Sequence, residues 1–367
     1  MYRRVAGVGL ALTMLVAGCG HSSSTSQGPA TSSTPVPSVA TSSTRAASAT
    51  SQAARDLPDP HTLRGLTEVP ELPDPKPVEG SSAQKLPVTV TDVEGNKVTI
   101  KSTSRILALD LYGTLSRTLI GLGLGDKIVG RTVSSTEKQL HDRPVVTENG
   151  HVLNVEAVAG LKPSVIIADR SVGPKEALDQ LRKSGIPVVF VDPHRSVGST
   201  PQLIRTIADA VGKPDAGEAL VKRTQEQIDQ AKKQIAAWKP AKPMRVAFLY
   251  VRGNAGVFFI LGSENGASEL IQGVGADDVA SDKGITTLVP ANAESLVSIN
   301  PDAIFVMRDG LASTGGMKGL LARAGVANTT AGRKQRVISI PDGISLSFGP
   351  QTGEVLTAVA KALYGVK

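Results

Sequence analysis

Asn154-Val-Glu156-Ala-Val-Ala-Gly-Leu-Lys-Pro163-Ser-Val-Ile-Ile167 has a counterpart in the second half of the chain, Asn292-Ala-Glu294-Ser-Leu-Val-Ser-Ile-Asn-Pro301-Asp-Ala-Ile-Phe305. In both stretches Glu precedes Pro by seven residues, and an Asn stands where a short helix would begin. An Asn side chain accepts from the free N–H groups of a first helical turn. The Pro ends the helix, because its ring disfavours helical backbone in the residue before it. The apolar, β-branched run that follows reads as a buried strand. The two copies mark an internal repeat.

Other segments also pair between the halves. Ile120-Gly-Leu-Gly-Leu-Gly-Asp126 and Leu270-Ile-Gln-Gly-Val-Gly-Ala-Asp277 both read as a helix end turning into a strand. Ile186-Pro-Val-Val-Phe-Val-Asp192 and Arg336-Val-Ile-Ser-Ile-Pro-Asp342 both read as later strands ending in Asp. Alternating strands and helices imply βαβ units and mostly parallel sheets. The expected architecture is α/β: an N-terminal lobe over 86–212 and a C-terminal lobe over 241–367. Between them, Leu220, Thr224, Ile228, Ala231 and Ile235 recur every three to four residues. That period predicts one amphipathic helix within 213–240. A single helix between lobes limits how far they hinge.

The N-terminus carries Arg3 and Arg4, then an apolar run from Val5 to Val16, then Ala17-Gly18-Cys19. The run is shorter than the roughly 20 apolar residues a membrane span needs. It fits a signal peptide over 1–18. The small residues before Cys19, the only Cys in 367 residues, resemble a bacterial lipobox. A lone Cys forms no intramolecular disulfide, and lipidation at Cys19 is the expectation. Residues 19–85 are mostly Ser, Thr, Ala and Pro, and read as a disordered stalk with His21 and His61 solvated within it. The mature protein would then stand on the outer face of the cytoplasmic membrane, held by a lipid alone. Removing Arg3 and Arg4 takes the formal charge from +7 to +5. With aromatics at 3% and no basic cluster among them, nucleic acid is a poor partner. No Gly-x-Ser-x-Gly elbow and no His-Glu-x-x-His motif is present, which argues against the commonest hydrolases. No catalytic residues are assigned.

Ligands of open α/β sheets bind beyond the C-terminal strand ends, so the residues that follow each strand are the site candidates. Met244-Arg-Val-Ala-Phe-Leu-Tyr250 is a strand-like run followed by Val251, Arg252 and Gly253. Residues two apart share a strand face, which puts Arg252 beside Tyr250, able to donate to its oxygen. A guanidinium and a ferric ion both favour phenolate, and Tyr is a known axial haem ligand. By spacing alone, a Tyr capping a strand in water is an equal reading. His151 follows Gly150 on a loop just ahead of the repeat helix. Neutral imidazole binds iron well, yet a loop His is more often simply solvated. His194, also after a strand, is the fallback ligand, and His141 lies in a charged segment. Met307 and Tyr112 both follow strand-like runs. Met307 either walls the site or fills a gap between helix and sheet. Tyr112 lines the site or competes as a ligand. Arg131 suits a carboxylate.

Two lobes, one long helix and a lipidated stalk resemble the class III, helical-backbone substrate-binding proteins of ABC importers. That resemblance runs from about Pro87 to the C-terminus and implies that Glu156 and Glu294, one per lobe, dock onto arginines of the permease. Asn149-Gly-His151-Val-Leu-Asn-Val-Glu156 and Tyr250-Val-Arg252-Gly253 look like the haem-contacting segments of the HmuT-type haem carriers of Gram-positive bacteria. The resemblance implies haem as cargo, with His151 and Tyr250 as axial ligands, Arg252 supporting the phenolate, and Met307, Tyr112 and Arg131 around the porphyrin. It implies an ABC permease with its ATPase as partner, surface haem donors as a possible source, and a monomer. A ferric siderophore or cobalamin carrier of the same fold is the alternative.

Overall fold

The computed structural model describes residues 57–79, 83–253 and 256–367. The signal segment, Cys19, His21 and most of the expected stalk lie outside the described residues. In chain order the strands are β1 (Leu66–Glu68), β2 (Val88–Thr91), β3 (Lys97–Ile100), β4 (Ile106–Leu109), β5 (Ile128–Gly130), β6 (Thr147–Glu148), β7 (Val152–Leu153), β8 (Val165–Ala168), β9 (Val188–Phe190), β10 (Arg245–Arg252), β11 (Val257–Ile260), β12 (Asp277–Asp278), β13 (Val289–Pro290), β14 (Ala303–Met307) and β15 (Val337–Ile340).

Each lobe is built on one sheet. In the N-terminal lobe the order is β5-β4-β8-β9, all parallel. Every residue of β4, β8 and β9 is buried, because helices cover both faces. That is why these strands read as unbroken apolar runs rather than alternating ones. The C-terminal lobe has the order β1-β15-β14-β10-β11-β13, with β12 on the first residues of β10. It is parallel from β1 to β10 and antiparallel at β11 and β13.

The repeat is structural as well as sequential. Helices Val155–Gly160 and Ala293–Ile299 start at Asn154 and Asn292. Asn154 Oδ1 accepts from the Ala157 N–H at 2.9 Å, and Asn292 Oδ1 from the Ser295 N–H at 2.8 Å. Just before each Pro the chain turns left-handed, at Lys162 (φ 46°) and Asn300 (φ 36°). β8 and β14 follow directly, as expected.

The linker helix is Pro214–Trp238, with Pro in its first turn, where a missing N–H costs nothing. Its first half, through Ala216 and Leu220, joins the N-terminal core with Leu119 and Ile207. Its second half, through Ala231 and Ile235, joins the C-terminal core with Val355 and Val359 of helix Thr352–Tyr364. One helix therefore belongs to both cores.

Two expectations need correction. The stalk does not extend to residue 85, and the linker helix is not the only crossing between lobes. β1 adds a parallel strand to the edge of the C-terminal sheet, beside β15, and Val69 is fully buried there. The chain then crosses the linker helix, where Arg223 Nη2 donates to Lys76 O at 2.6 Å. Asp74 accepts from the Lys138 and Gln139 N–H groups of the N-terminal lobe at 2.8 and 2.9 Å. The Val78 N–H donates to Gly121 O, and the Lys85 N–H to Gly212 O. His61 is likewise part of a turn, its Nδ1 3.0 Å from Asp59 Oδ1, with its side chain 22% exposed. Few apolar residues occur in this segment. Its order comes from the open sheet edge that satisfies its backbone, which no local pattern announces.

Candidate functional site

In the N-terminal lobe the C-terminal strand ends carry Asp110 and Tyr112 after β4, Arg131 after β5, Asp169 after β8, and His194 and Arg195 after β9. The Arg131 N–H donates to Pro144 O and the Val146 N–H to Arg131 O, both at 2.9 Å. This zipper carries the sheet edge forward into the β6–β7 hairpin. His151 stands at the hairpin tip, after Asn149 (φ 49°) and Gly150 (φ 87°). Its carbonyl accepts from the Gly173 N–H at 2.9 Å, while its side chain is exposed. The loop is thus pinned and the imidazole is free to meet a ligand.

The ends of β4, β8 and β9 also hold an ion cluster that the sequence reading missed. Arg195, with its side chain 2% exposed, pairs through Nη2 with Asp169 and lies 3.7 Å from Asp110. Ser171 caps Asp169, and the Thr114 N–H donates to Asp110 Oδ2 at 2.9 Å. Burial, then repulsion from Asp169, pushes Asp110 up to about 7. Burial likewise raises Asp169. Tyr112 packs with the guanidinium of Arg195 5.6 Å from its ring centre. Burial, and then the charge of Asp169, raise its phenol above the usual value. A phenol held neutral is a poor anionic donor, so Tyr112 suits a wall better than a metal ligand. Arg131 spends Nη1 on the Thr132 and Ser135 carbonyls at 3.4 Å, and its buried Nε has no partner. His194 is exposed, its N–H on Asp192 Oδ1. His141, beside Asp142, is also exposed.

In the C-terminal lobe Tyr250 and Arg252 are partly exposed and flank buried Val251, so they share one face of β10 as expected. The register between β10 and β14 pairs Leu249 with Val306, which sets Tyr250 beside Met307. Both pack on the rim of the C-terminal core, where Tyr112 of the other lobe also packs. The Arg252 guanidinium lies over the Tyr250 ring, 5.0 Å from its centre. The expected donation to the phenol oxygen is replaced. Arg252 Nη2 donates to Asp342 Oδ1 at 2.5 Å and to Met307 Sδ at 3.3 Å. A carboxylate is a stronger acceptor than a neutral phenol and takes the donor. Met307 thus touches the same guanidinium.

The lobes meet around helix Thr114–Gly121 and the segment after β15. Thr114 Oγ1 donates to Ser347 O at 2.7 Å, and Arg117 donates to Gly343 O at 3.2 Å and Gln351 Oε1 at 2.8 Å. Arg117 also pairs with buried Glu137 at 3.2 Å. Glu156 and Glu294 stand exposed in the first turns of their helices. Each is favourably placed by the helix dipole alone. A separate cavity of about 910 Å³, lined by Leu63, Arg223, Arg336 and Ala358 among others, includes none of the candidate residues.

The chain's relatives agree with this architecture. The family described as periplasmic binding protein matches residues 111–343. A crystal structure of the haem-binding protein HmuT is 49% identical, covers 84% of this chain and all of that one, and superimposes with a TM-score of 0.82. HmuT structures with a single His, Tyr or Arg replaced by Ala score 0.83 each. The periplasmic haem-binding protein RhuT from Roseiflexus sp. RS-1 is 32% identical, over 72% of this chain and 99% of that one, with a TM-score of 0.67. The ABC transporter substrate-binding lipoprotein YvrC of Bacillus subtilis is 27% identical over 280 residues, 76% of this chain and 86% of YvrC. Matched over most of its length, with the same two lobes on one linker helix, the chain belongs to the periplasmic binding protein family, the substrate-binding components of ABC importers rather than enzymes.

Proposed function

We propose that the chain captures Fe(III)-haem between its lobes and delivers it to an ABC permease, with His151 and Tyr250 as the axial ligands. One observation carries this above all. The His, Tyr and Arg replaced in the three HmuT variants have the same spacings along their chain as His151, Tyr250 and Arg252 have here. The chemistry supports it. Haem brings four equatorial nitrogens of its own, so a receptor need supply only one donor from each side. A neutral imidazole and a phenolate are suitable donors for ferric iron. Arg252 keeps positive charge beside the phenol, and Tyr112 and Met307 offer apolar surface to a porphyrin. Arg131, at the end of β5, suits a propionate by its charge. Glu156 and Glu294 then dock the loaded protein on the permease, whose ATPase drives release. Cys19 anchors the chain by lipid to the outer face of the membrane. The chain acts as a monomer and receives haem free or from a surface donor.

The test is an absorption spectrum of haemin-loaded wild type, His151→Ala, Tyr250→Phe and Tyr250→Ala. The wild type is expected to shift the Soret band, and each variant to bind more weakly with an altered spectrum. No shift in the wild type, or one indifferent to Tyr250→Phe, removes haem. Tight uptake of cobalamin or a ferric siderophore in its place assigns the other cargo. Glu156→Ala with Glu294→Ala should leave the spectrum unchanged and abolish import.

A further inference from the structure

Arg252 does not stand free in front of Tyr250. It is seated in a slot built by four parts of the C-terminal lobe. Asp342 Oδ1 accepts from Nη2 at 2.5 Å, Met307 Sδ lies 3.3 Å from the same atom, and Val251 O lies 3.4 Å from Nη1. The fourth wall is an absence of side chain. A Cβ on Gly310 would fall 2.2 Å from Arg252 Nη1 and 2.5 Å from Val251 O. A helix residue without a Cβ is what admits the guanidinium.

Asp342 is itself held. Its Oδ2 accepts from the Asp309 N–H at 2.8 Å, and its side chain is only 18% exposed. The next carbonyl, Gly343 O, accepts from Arg117 of the other lobe at 3.2 Å. An Arg left to itself on a strand end samples many rotamers. This one is confined from several sides at a fixed place over the Tyr250 ring. A partly exposed ion pair gains little stability by itself. What this arrangement supplies is orientation.

We propose that Asp342 is a positioning residue for the Tyr250 ligand: it fixes the Arg252 guanidinium against the phenol and ties that geometry to the segment where the lobes meet. Its consequence for iron rests on the haem function proposed above, whereas the contact itself involves only the chain's own residues. A cation at fixed distance sets how strongly the phenolate donates to the metal. Groups that directly orient a metal ligand are worth roughly 10–100-fold in metal affinity, and Asp342 acts through such a group, Arg252.

The experiment has a ligand-free and a loaded arm. With ¹⁵N-arginine labelling, the Arg252 Nη2–H signal, assigned by its loss in Arg252→Lys, should exchange slowly in wild type, because Nη2 donates to Asp342. It should exchange about tenfold faster in Asp342→Ala, which removes the acceptor. Asp342→Asn, which keeps the shape and loses the charge, serves if Asp342→Ala folds poorly. In the haemin-loaded arm, Asp342→Ala and Arg252→Ala should each shift the phenolate-to-iron charge-transfer band. Each should also lose haem to apomyoglobin about tenfold faster. The double variant should be no worse than Arg252→Ala, because Asp342 acts through Arg252. Asp342→Glu should recover part of the band. An Asp342→Ala effect that persists in full in the Arg252→Ala background overturns the proposal, as does unchanged Arg252 exchange. If the wild type takes no haem, the function falls, and the exchange measurement alone decides the positioning.

Discussion

Replacing Val69 with Ala asks whether residues 57–79 belong to the folded C-terminal lobe. The Val69 side chain is fully buried in one cluster with Ile338, Ile340, Val355 and Leu363. Its N–H donates to Ser339 O at 2.8 Å. The substitution removes two methyl groups, each worth ~0.8 kcal/mol of transfer free energy. The space left behind adds a cavity term, for a total of about 2–3 kcal/mol. With an unfolding entropy of about 2.1 cal/mol/K per residue, a folded part of this size should melt about 3–5 °C lower. The control is Val93→Ala, the same chemistry at a side chain 55% exposed, expected to stay within about 0.5 kcal/mol of wild type. Scanning calorimetry of the three proteins at one pH and salt reads the difference. If Val69→Ala melts with Val93→Ala and wild type, the segment is not part of the core, and the second crossing between lobes is wrong.

Three further outcomes follow from the same geometry. Arg117→Leu strands Glu137, whose side chain is 0% exposed and whose carboxyl burial already raises. It should cost about 3–5 kcal/mol in urea unfolding, and adding Glu137→Leu should recover most of that; a double variant as unstable as the single contradicts the pairing. Asp110, held up to about 7 by burial and by Asp169, keeps a proton in the folded state that the unfolded chain releases near pH 4. Its contribution to stability is therefore full below about pH 4 and is lost as pH rises through about 7. The melting temperature of Asp110→Asn minus that of wild type should grow across this window, and a constant difference from pH 4 to 8 refutes the assignment. Gly310→Ala places a Cβ against the Val251 carbonyl as well as Arg252. Since the backbone oxygen cannot move aside, it should destabilise by about 1–3 kcal/mol and speed exchange of the Arg252 Nη–H groups; an unperturbed Arg252 signal would mean the slot is not tight.

Much of this protein was legible in its sequence, and the parts that were share a physical cause. The repeat at Asn154–Ile167 and Asn292–Phe305 encodes caps, a Pro stop and a buried strand, all set by residues within a few positions of one another. The linker helix announced itself by the period of Leu220, Thr224, Ile228, Ala231 and Ile235. Tyr250 and Arg252 share a face because strand side chains alternate, whatever the strand packs against. Local rules of this kind need no knowledge of the rest of the chain.

Partnerships between distant segments emerge only once the chain has packed in three dimensions. β1 is ordered because an edge of the C-terminal sheet, more than 260 residues further along, completes its hydrogen bonds. Arg252 turns to Asp342 because β10 and β15 flank β14, bringing a carboxylate within 2.5 Å of a guanidinium 90 positions away. Asp110, Asp169 and Arg195 follow three different strands and become one buried cluster only when β4, β8 and β9 lie side by side. Charge pairing and backbone satisfaction depend on distance in space, and composition and spacing carry little information about that distance until the sheet order is known.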